Sequence, residues 1–232
     1  MNEFMNNNWQ DRTQMLIGET AVRKLNNSTV TVFGLGGVGG YAVEALARSG
    51  IGKFKIIDYD IISETNLNRQ IIALTDTIGQ KKIDVIRERI AKINPNAEVE
   101  CFDVFVGPDN ITQLIDGSED YIIDAVDNIT AKIAIVKRAK ELDVAIISSM
   151  GTGNKLNPFM YKIDDIYKTS VCPLAKVMRK ELRTRDIASL TVLYSTELPK
   201  IKSKPPASIS YMPSIAGLMI GGKVIEDLIK DI

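Results

Sequence analysis

The sequence predicts an α/β fold: a Rossmann-like, doubly wound, mainly parallel sheet with a C-terminal extension, residues 1–232 forming one domain. Three observations predict it. Short apolar runs alternate with helical patterns, which implies a parallel sheet covered on both faces. A Gly-rich turn joins the first run to the first helix, and an acidic residue closes the second run.

MNEFMNNN reads as a polar lead, with disorder expected over about residues 1–10. Strands are expected near 29–33, 53–58, 97–103, 119–124 and 144–149, rich in β-branched and apolar residues. A helix begins at about Val38. Another covers 80–92, entered after Gly79 and stopped at Pro95. Beyond Ile147 the alternation changes. A long crossing segment (150–172) leads to a helix at 172–183, a short strand around Leu190–Tyr194, a loop and a last helix after Pro213. Residues 150–212 form this crossover, expected on the substrate side. Gly217, Gly221 and Gly222 suggest either close packing against another helix, such as a dimer mate's, or a glycine-weakened C-terminal helix lying on its own sheet. No repeat or linker interrupts the chain.

The turn carries Gly34, Gly36, Gly37 and Gly39. In this fingerprint the first glycine permits the tight turn, the second lets backbone approach a phosphate, and the third lets helix and strand pack closely. Amides at the helix N-terminus then face the anion. Asp58 comes 24 positions after Gly34, where an acid meets ribose hydroxyls. The spacing predicts a nucleotide site.

The segment after Asp58 argues against a dehydrogenase. A loop offers Asp60, Asn66, Arg69 and Gln70, and Lys81 and Lys82 open the next helix. Cations and amides beside a phosphate cradle suit charge building up on a triphosphate, and exceed what a hydride carrier needs. The run YIIDAVDN ends a buried strand at Asp124 and places Asp127 and Asn128 at the carboxyl edge of the sheet. A carboxylate there can hold magnesium bridging phosphate oxygens.

GLGGVGG, DYD, NLNRQ, GQKK and DAVDN, in this order and spacing, resemble the adenylating fold of the E1-like (ThiF/MoeB/HesA) superfamily. The resemblance implies an enzyme that uses ATP and magnesium to turn a carboxylate into an acyl-adenylate. It implies Asp58 at the ribose; Asn66, Arg69 and Lys82 at the phosphates; and Asp127 on the metal. Arg12, in RTQMLIG, resembles the arginine such dimers donate to the neighbouring site; position 15 is Met, so Arg12 is the one such residue in that stretch. The second half narrows the resemblance. SMGTGNKLNP, DIYKT, PLAKVMRKELR, YSTE and the last helix are similar to the tRNA threonylcarbamoyladenosine dehydratases. That branch implies activation of the threonine carboxyl of a modified adenosine beside the anticodon. Attack by the carbamoyl group then closes a ring with loss of AMP.

Composition fits a cytoplasmic enzyme. At 232 residues and 45% apolar content, such a chain buries roughly seven-tenths of its unfolded surface. No apolar run reaches the roughly 20 residues of a membrane span, and no signal peptide is expected. Two cysteines exclude a four-cysteine zinc site, which related sulfur-transfer adenylyltransferases often carry. With no histidine, a general base must be a carboxylate, lysine, tyrosine or the substrate. Net charge is zero, yet residues 176–204 hold eight cations against three acids, a stretch able to follow an RNA backbone.

Two other readings remain at this point. A carrier-protein adenylyltransferase would activate a ubiquitin-like or sulfur-carrier partner ending in Gly-Gly, with Cys172 as nucleophile at a helix N-terminus that favours thiolate. Packing beside Pro173 is the plainer role for Cys172, and Cys101 is expected in the core. A non-catalytic nucleotide sensor would not need Arg69, Lys82 and Asp127 together.

Overall fold

The computed structural model describes residues 8–232. Its centre is a seven-stranded sheet in the order β3-β2-β1-β4-β5-β7-β6. The strands are β1 (Thr29–Phe33), β2 (Lys53–Ile57), β3 (Glu98–Phe102), β4 (Tyr121–Asp124), β5 (Ala145–Ser149), β6 (Tyr161–Asp165) and β7 (Thr191–Ser195). All neighbours pair in parallel except β6 and β7. The predicted sheet is therefore present, with each of the first five strands within two residues of its expected bounds.

Helices α2 (Glu19–Asn27), α3 (Gly39–Ser49), α4 (Lys82–Ile93) and α8 (Tyr211–Ile229) border one core, which includes Leu25, Leu46, Ile86 and Ile220. The short α5 (Ile111–Leu114), α6 (Ile129–Glu141) and α7 (Pro173–Arg183) border the other, around Ile122, Ile135 and Met178. Apolar side chains on both sides of each central strand explain the nearly continuous apolar runs in the sequence.

The expectations for the lead and the crossover need correction. Residues 1–7 of the lead lie outside the described residues. Gln10 is not disordered: it is buried, and its side chain donates to Asn26 Oδ1 at 3.0 Å. It leads into α1 (Asp11–Ile17). The crossing segment also contains a strand, β6, antiparallel to β7 with Tyr161 opposite Ser195. In YKIDD only three residues alternate before two carboxylates, a pattern that suits a charged edge strand and reads weakly as one.

The glycines of α8 settle which helix they face. A Cβ at Gly217 would lie 2.3 Å from the Val38 carbonyl oxygen, and one at Gly221 would lie 2.7 Å from Ala45 Cβ. Both belong to α3 or its entry, so these positions serve this chain's own helix pair. Gly222 faces open space. Overpacking of this kind costs about 1–3 kcal/mol. Gly217→Ala is thus expected to lower the melting temperature by roughly 3–10 °C in calorimetry; an unchanged melting temperature would contradict the close approach.

Candidate functional site

The registers Phe33↔Ile57 and Phe33↔Asp124 bring the carboxyl ends of β1, β2 and β4 level. Strand order turns back between β1 and β4, the switch point where open α/β sheets bind ligands. A cleft of about 650 Å³ opens there, lined by Gly34, Asp58, Arg69, Lys82 and Asp127 among others. That volume suits a nucleotide-sized molecule.

The Gly-rich turn forms the floor. Gly34 has φ +84°, and a Cβ there would meet the Ala125 carbonyl oxygen at 2.8 Å. A Cβ at Gly39 would lie 1.8 Å from the Gly34 carbonyl oxygen, so helix α3 starts hard against the turn. Gly36 faces the cleft. Gly37 lines it too, while a Cβ at Gly37 would lie 3.0 Å from Pro213 of α8. The first amides of α3 make this floor an anion seat.

Asp58 stands at the end of β2. Its two oxygens accept from the Leu35 N–H at 2.6 Å and the Asp60 N–H at 2.8 Å. Burial pushes its carboxyl up, against the Lys82 charge and those two amides. Each oxygen keeps a lone pair for a hydroxyl donor. Lys82 is buried and donates to Asp60 Oδ2 at 2.6 Å, so Asp60 positions the ammonium. Asn66 is buried, accepting the Ser63 N–H at 3.1 Å in a capping box that shapes the loop. Arg69 rests on the Thr65 carbonyl at 2.8 Å and on Asn68, with no carboxylate partner among the described residues. Gln70 lines the cleft, and its buried Oε1 has no hydrogen-bond partner. Among the described residues this acceptor is left free to receive a donor in the cleft.

Asp127 is exposed on the cleft wall, and its side chain makes no hydrogen bond or ion pair among the described residues. Asn128 also lines the cleft, but its Oδ1 caps α6 by accepting the Ala131 N–H at 3.0 Å. A single carboxylate fits magnesium, which keeps several waters and takes its other oxygens from phosphates. The predicted cleft residues are thus brought to one place except Gly39, which packs behind the turn, and two of the cations. Lys81 turns away to Asp103 at 2.5 Å. Arg12 is exposed on α1 and does not line this cleft. The neighbouring Gln10 packs at Gly50, between α3 and β2, on the opposite edge of the sheet.

Three features went unread in the sequence. Tyr59 and Phe105 meet edge to face at 5.0 Å across the ends of β2 and β3, both lining the cleft. An aromatic two residues past the predicted third strand was the signal for Phe105. Below Asp127, fully buried Lys132 donates to Asp124 at 3.0 Å and to the Ser149 carbonyl at 2.8 Å, while Ser148 Oγ donates to Asp124 at 2.5 Å. This network fixes the ends of β4 and β5. Lys155, also buried, donates to the Gly151 carbonyl at 2.7 Å and shapes the Gly151–Gly153 wall; burial pushes its ammonium pKa down.

The sequence model of the ThiF family matches residues 10–231. The chain belongs to the ThiF family. Among relatives, it is 42% identical over 240 residues to the tRNA threonylcarbamoyladenosine dehydratase of Bacillus subtilis, covering 95% of this chain and 94% of that one. The Escherichia coli enzyme of that name is 37% identical over 187 residues, covering 79% and 70% of the two chains. A crystal structure of the E. coli dehydratase in complex with ATP superposes with a TM-score of 0.90 at 31% identity, covering 96% of this chain and 95% of that one.

Cys172 is the N-cap of α7, 2% exposed, within the apolar cluster around Met178, and it does not line the cleft. Its thiol sits behind the cleft-lining Gly151, a placement that fits the packing role. Cys101 lies half-buried on β3, where burial pushes its thiol up. No helix among the described residues is long and apolar enough to cross a membrane.

Proposed function

We propose that this chain uses ATP and magnesium to activate the threonine carboxylate of N6-threonylcarbamoyladenosine in tRNA, and closes the ring with release of AMP. One observation carries the reading. A phosphate cradle, the ribose acid Asp58, the cations Arg69 and Lys82 and the uncommitted Asp127 converge on one cleft, while Cys172 is shut away from it. The near full-length similarity to dehydratases supports the choice of substrate.

In this reading Asp58 accepts the ribose hydroxyls, and the Tyr59–Phe105 edge walls the adenine. The Gly34–Gly39 turn and the first amides of α3 receive the phosphates. Asn66 and Gln70 orient them, and Asn128 closes the rim. Lys82, held by Asp60, and Arg69 offset negative charge that grows as the carboxylate oxygen attacks the α-phosphorus and pyrophosphate leaves. Asp127 would hold a magnesium ion, whose charge would stabilise the phosphates as pyrophosphate leaves. The carbamoyl group then attacks the activated carbonyl carbon, the AMP oxygen departs, and the nucleoside has lost one water. Arg12 of the partner subunit completes the site in a homodimer, since this chain's own Arg12 lies at the far edge of the sheet. The 150–212 segment forms the substrate side, and the cytoplasm is the compartment where such a reaction meets tRNA and ATP.

Nucleoside mass spectrometry tests this directly. Modified tRNA incubated with the protein, ATP and magnesium should lose one water per threonylcarbamoyladenosine, and Cys172→Ser should turn over at the wild-type rate. An unchanged nucleoside with ATP bound would remove the tRNA reading. Loss of activity in a folded Cys172→Ser variant would restore a carrier-protein partner.

A further inference from the structure

Of the eight cations between 176 and 204, three arginines are committed within the fold. Arg179 donates to the Thr169 carbonyl at 3.0 Å, Arg183 lies 5.1 Å over the Tyr167 ring, and Arg185 pairs with Glu181 at 2.8 Å. The lysines make no ion pair among the described residues. Lys200, Lys202 and Lys204 sit in the stretch LPKIKSKPPASIS, which contains no acid.

This loop is fastened beside the cleft. Asn154, at φ +61°, receives the Lys200 N–H on its carbonyl at 2.7 Å and gives its own N–H to the Ala207 carbonyl at 2.8 Å. Its side-chain oxygen accepts from Ser203 Oγ and the Ala207 N–H, each at 2.8 Å. Pro206 and Ser208 then line the cleft, next to Gly153.

Apolar side chains stand on the same edge. Phe159 is 95% exposed and Leu198 is 73% exposed. Their backbone is nevertheless fixed. The buried Glu197 carboxylate accepts the Leu156 N–H at 3.0 Å and the Asn157 N–H at 2.8 Å, and Asn157 Oδ1 accepts the Phe159 N–H at 3.1 Å. A rigid turn thus holds a benzyl ring in solvent, at a cost that folding alone does not recover. Because β6 begins opposite the end of β7, Phe159 lies at the carboxyl edge of the sheet, two strands beyond β5. At the usual strand spacing that is roughly 10 Å from the cleft wall after Ser149, a distance spanned by one or two nucleotides.

We propose that this ridge, Leu156–Phe159 with the 198–204 loop, receives the single-stranded RNA that flanks the reacting nucleoside. Phe159 stacks on a neighbouring base, and Lys200, Lys202 and Lys204 meet the phosphates. Single-stranded RNA is recognised by aromatic stacking beside cations. A loop with three lysines and no acid, beside a carboxylate (Glu197) that is buried and engaged by backbone amides, favours a polyanion over an ordinary protein face. The proposal rests on the tRNA reading of the cleft.

Fluorescence anisotropy with an anticodon stem-loop bearing threonylcarbamoyladenosine tests it. Phe159→Ala should bind at least about fivefold more weakly, and Phe159→Trp should bind like wild type. Changing the three lysines to glutamine should lower the slope of log affinity against log salt by roughly two. ATP affinity should be unchanged in all variants. Wild-type stem-loop binding by Phe159→Ala, or an unchanged slope in the triple variant, would overturn the proposal and point to a protein partner. A wild-type protein that binds ATP, ignores the stem-loop and leaves the nucleoside intact would instead remove the tRNA reading, and the proposal with it.

Discussion

Replacing Asp127 with alanine is expected to abolish AMP formation, by on the order of 10²–10³-fold or more. The carboxylate is exposed on the cleft wall and makes no hydrogen bond among the described residues, so the fold gives up nothing with it. Surface changes of that kind stay within about 0.5 kcal/mol of stability. The loss should therefore appear in turnover and in the magnesium dependence, with the melting temperature unmoved. Asp127→Asn, which keeps the shape and removes the charge, should be nearly as inactive. Asp60→Asn should differ from both: it leaves buried Lys82 without its counter-ion at 2.6 Å and should lower stability as well. Full turnover by Asp127→Ala with ATP and magnesium would show that another group holds the metal.

The second large effect concerns Arg12. Alone, Arg12→Ala should lower turnover by on the order of 10³-fold, the range of an arginine supplied in trans to a phosphate site. Helix α1 buries none of its residues, and Leu16 is 84% exposed on it. Exposed apolar side chains on the outer side of α1, next to a cation, suit a subunit interface. The decisive measurement mixes two inactive proteins. In a two-fold dimer formed from equal amounts of Arg12→Ala and Asp127→Ala subunits, half the dimers are hybrids. Each hybrid has one site with both residues intact, so activity should return to about a quarter of wild type. No recovery after complete subunit exchange, or full activity of Arg12→Ala alone, would refute donation across the dimer.

How much of this was legible depended on the range of each signal. The glycine turn, Asp58 and the five leading strands were readable because local chemistry fixes them: a positive φ at Gly34, apolar runs in β1 and β4, an acid at a strand end. Asn66, Arg69, Gln70, Lys82 and Asp127 were readable as a set, since strand ends must share an edge. Direction was not. Lys81 and Lys82 are adjacent in sequence, yet one faces Asp103 and the other the cleft, a consequence of the bridge between Ile61 and Lys81 that fixes the entry to α4. The fate of the basic stretch was hidden likewise. Arg179 and Arg183 are spent on Thr169 and Tyr167, partners from a turn that precedes the helix. Lys132 carries no local signal, and only the three-dimensional meeting of α6 with β4 and β5 reveals its buried place at the strand ends.

The contact of α8 with the glycine turn carries a consequence in time. Pro213 presses on Gly37, and Gly217 and Gly221 receive α3, the helix whose amides face the phosphates. The glycine turn is thus held in shape by a helix made long after it along the chain. A nascent chain that has already exposed its nucleotide signature still lacks the brace behind it. The turn is therefore expected to reach its final shape only once α8 has been made and has docked against α3.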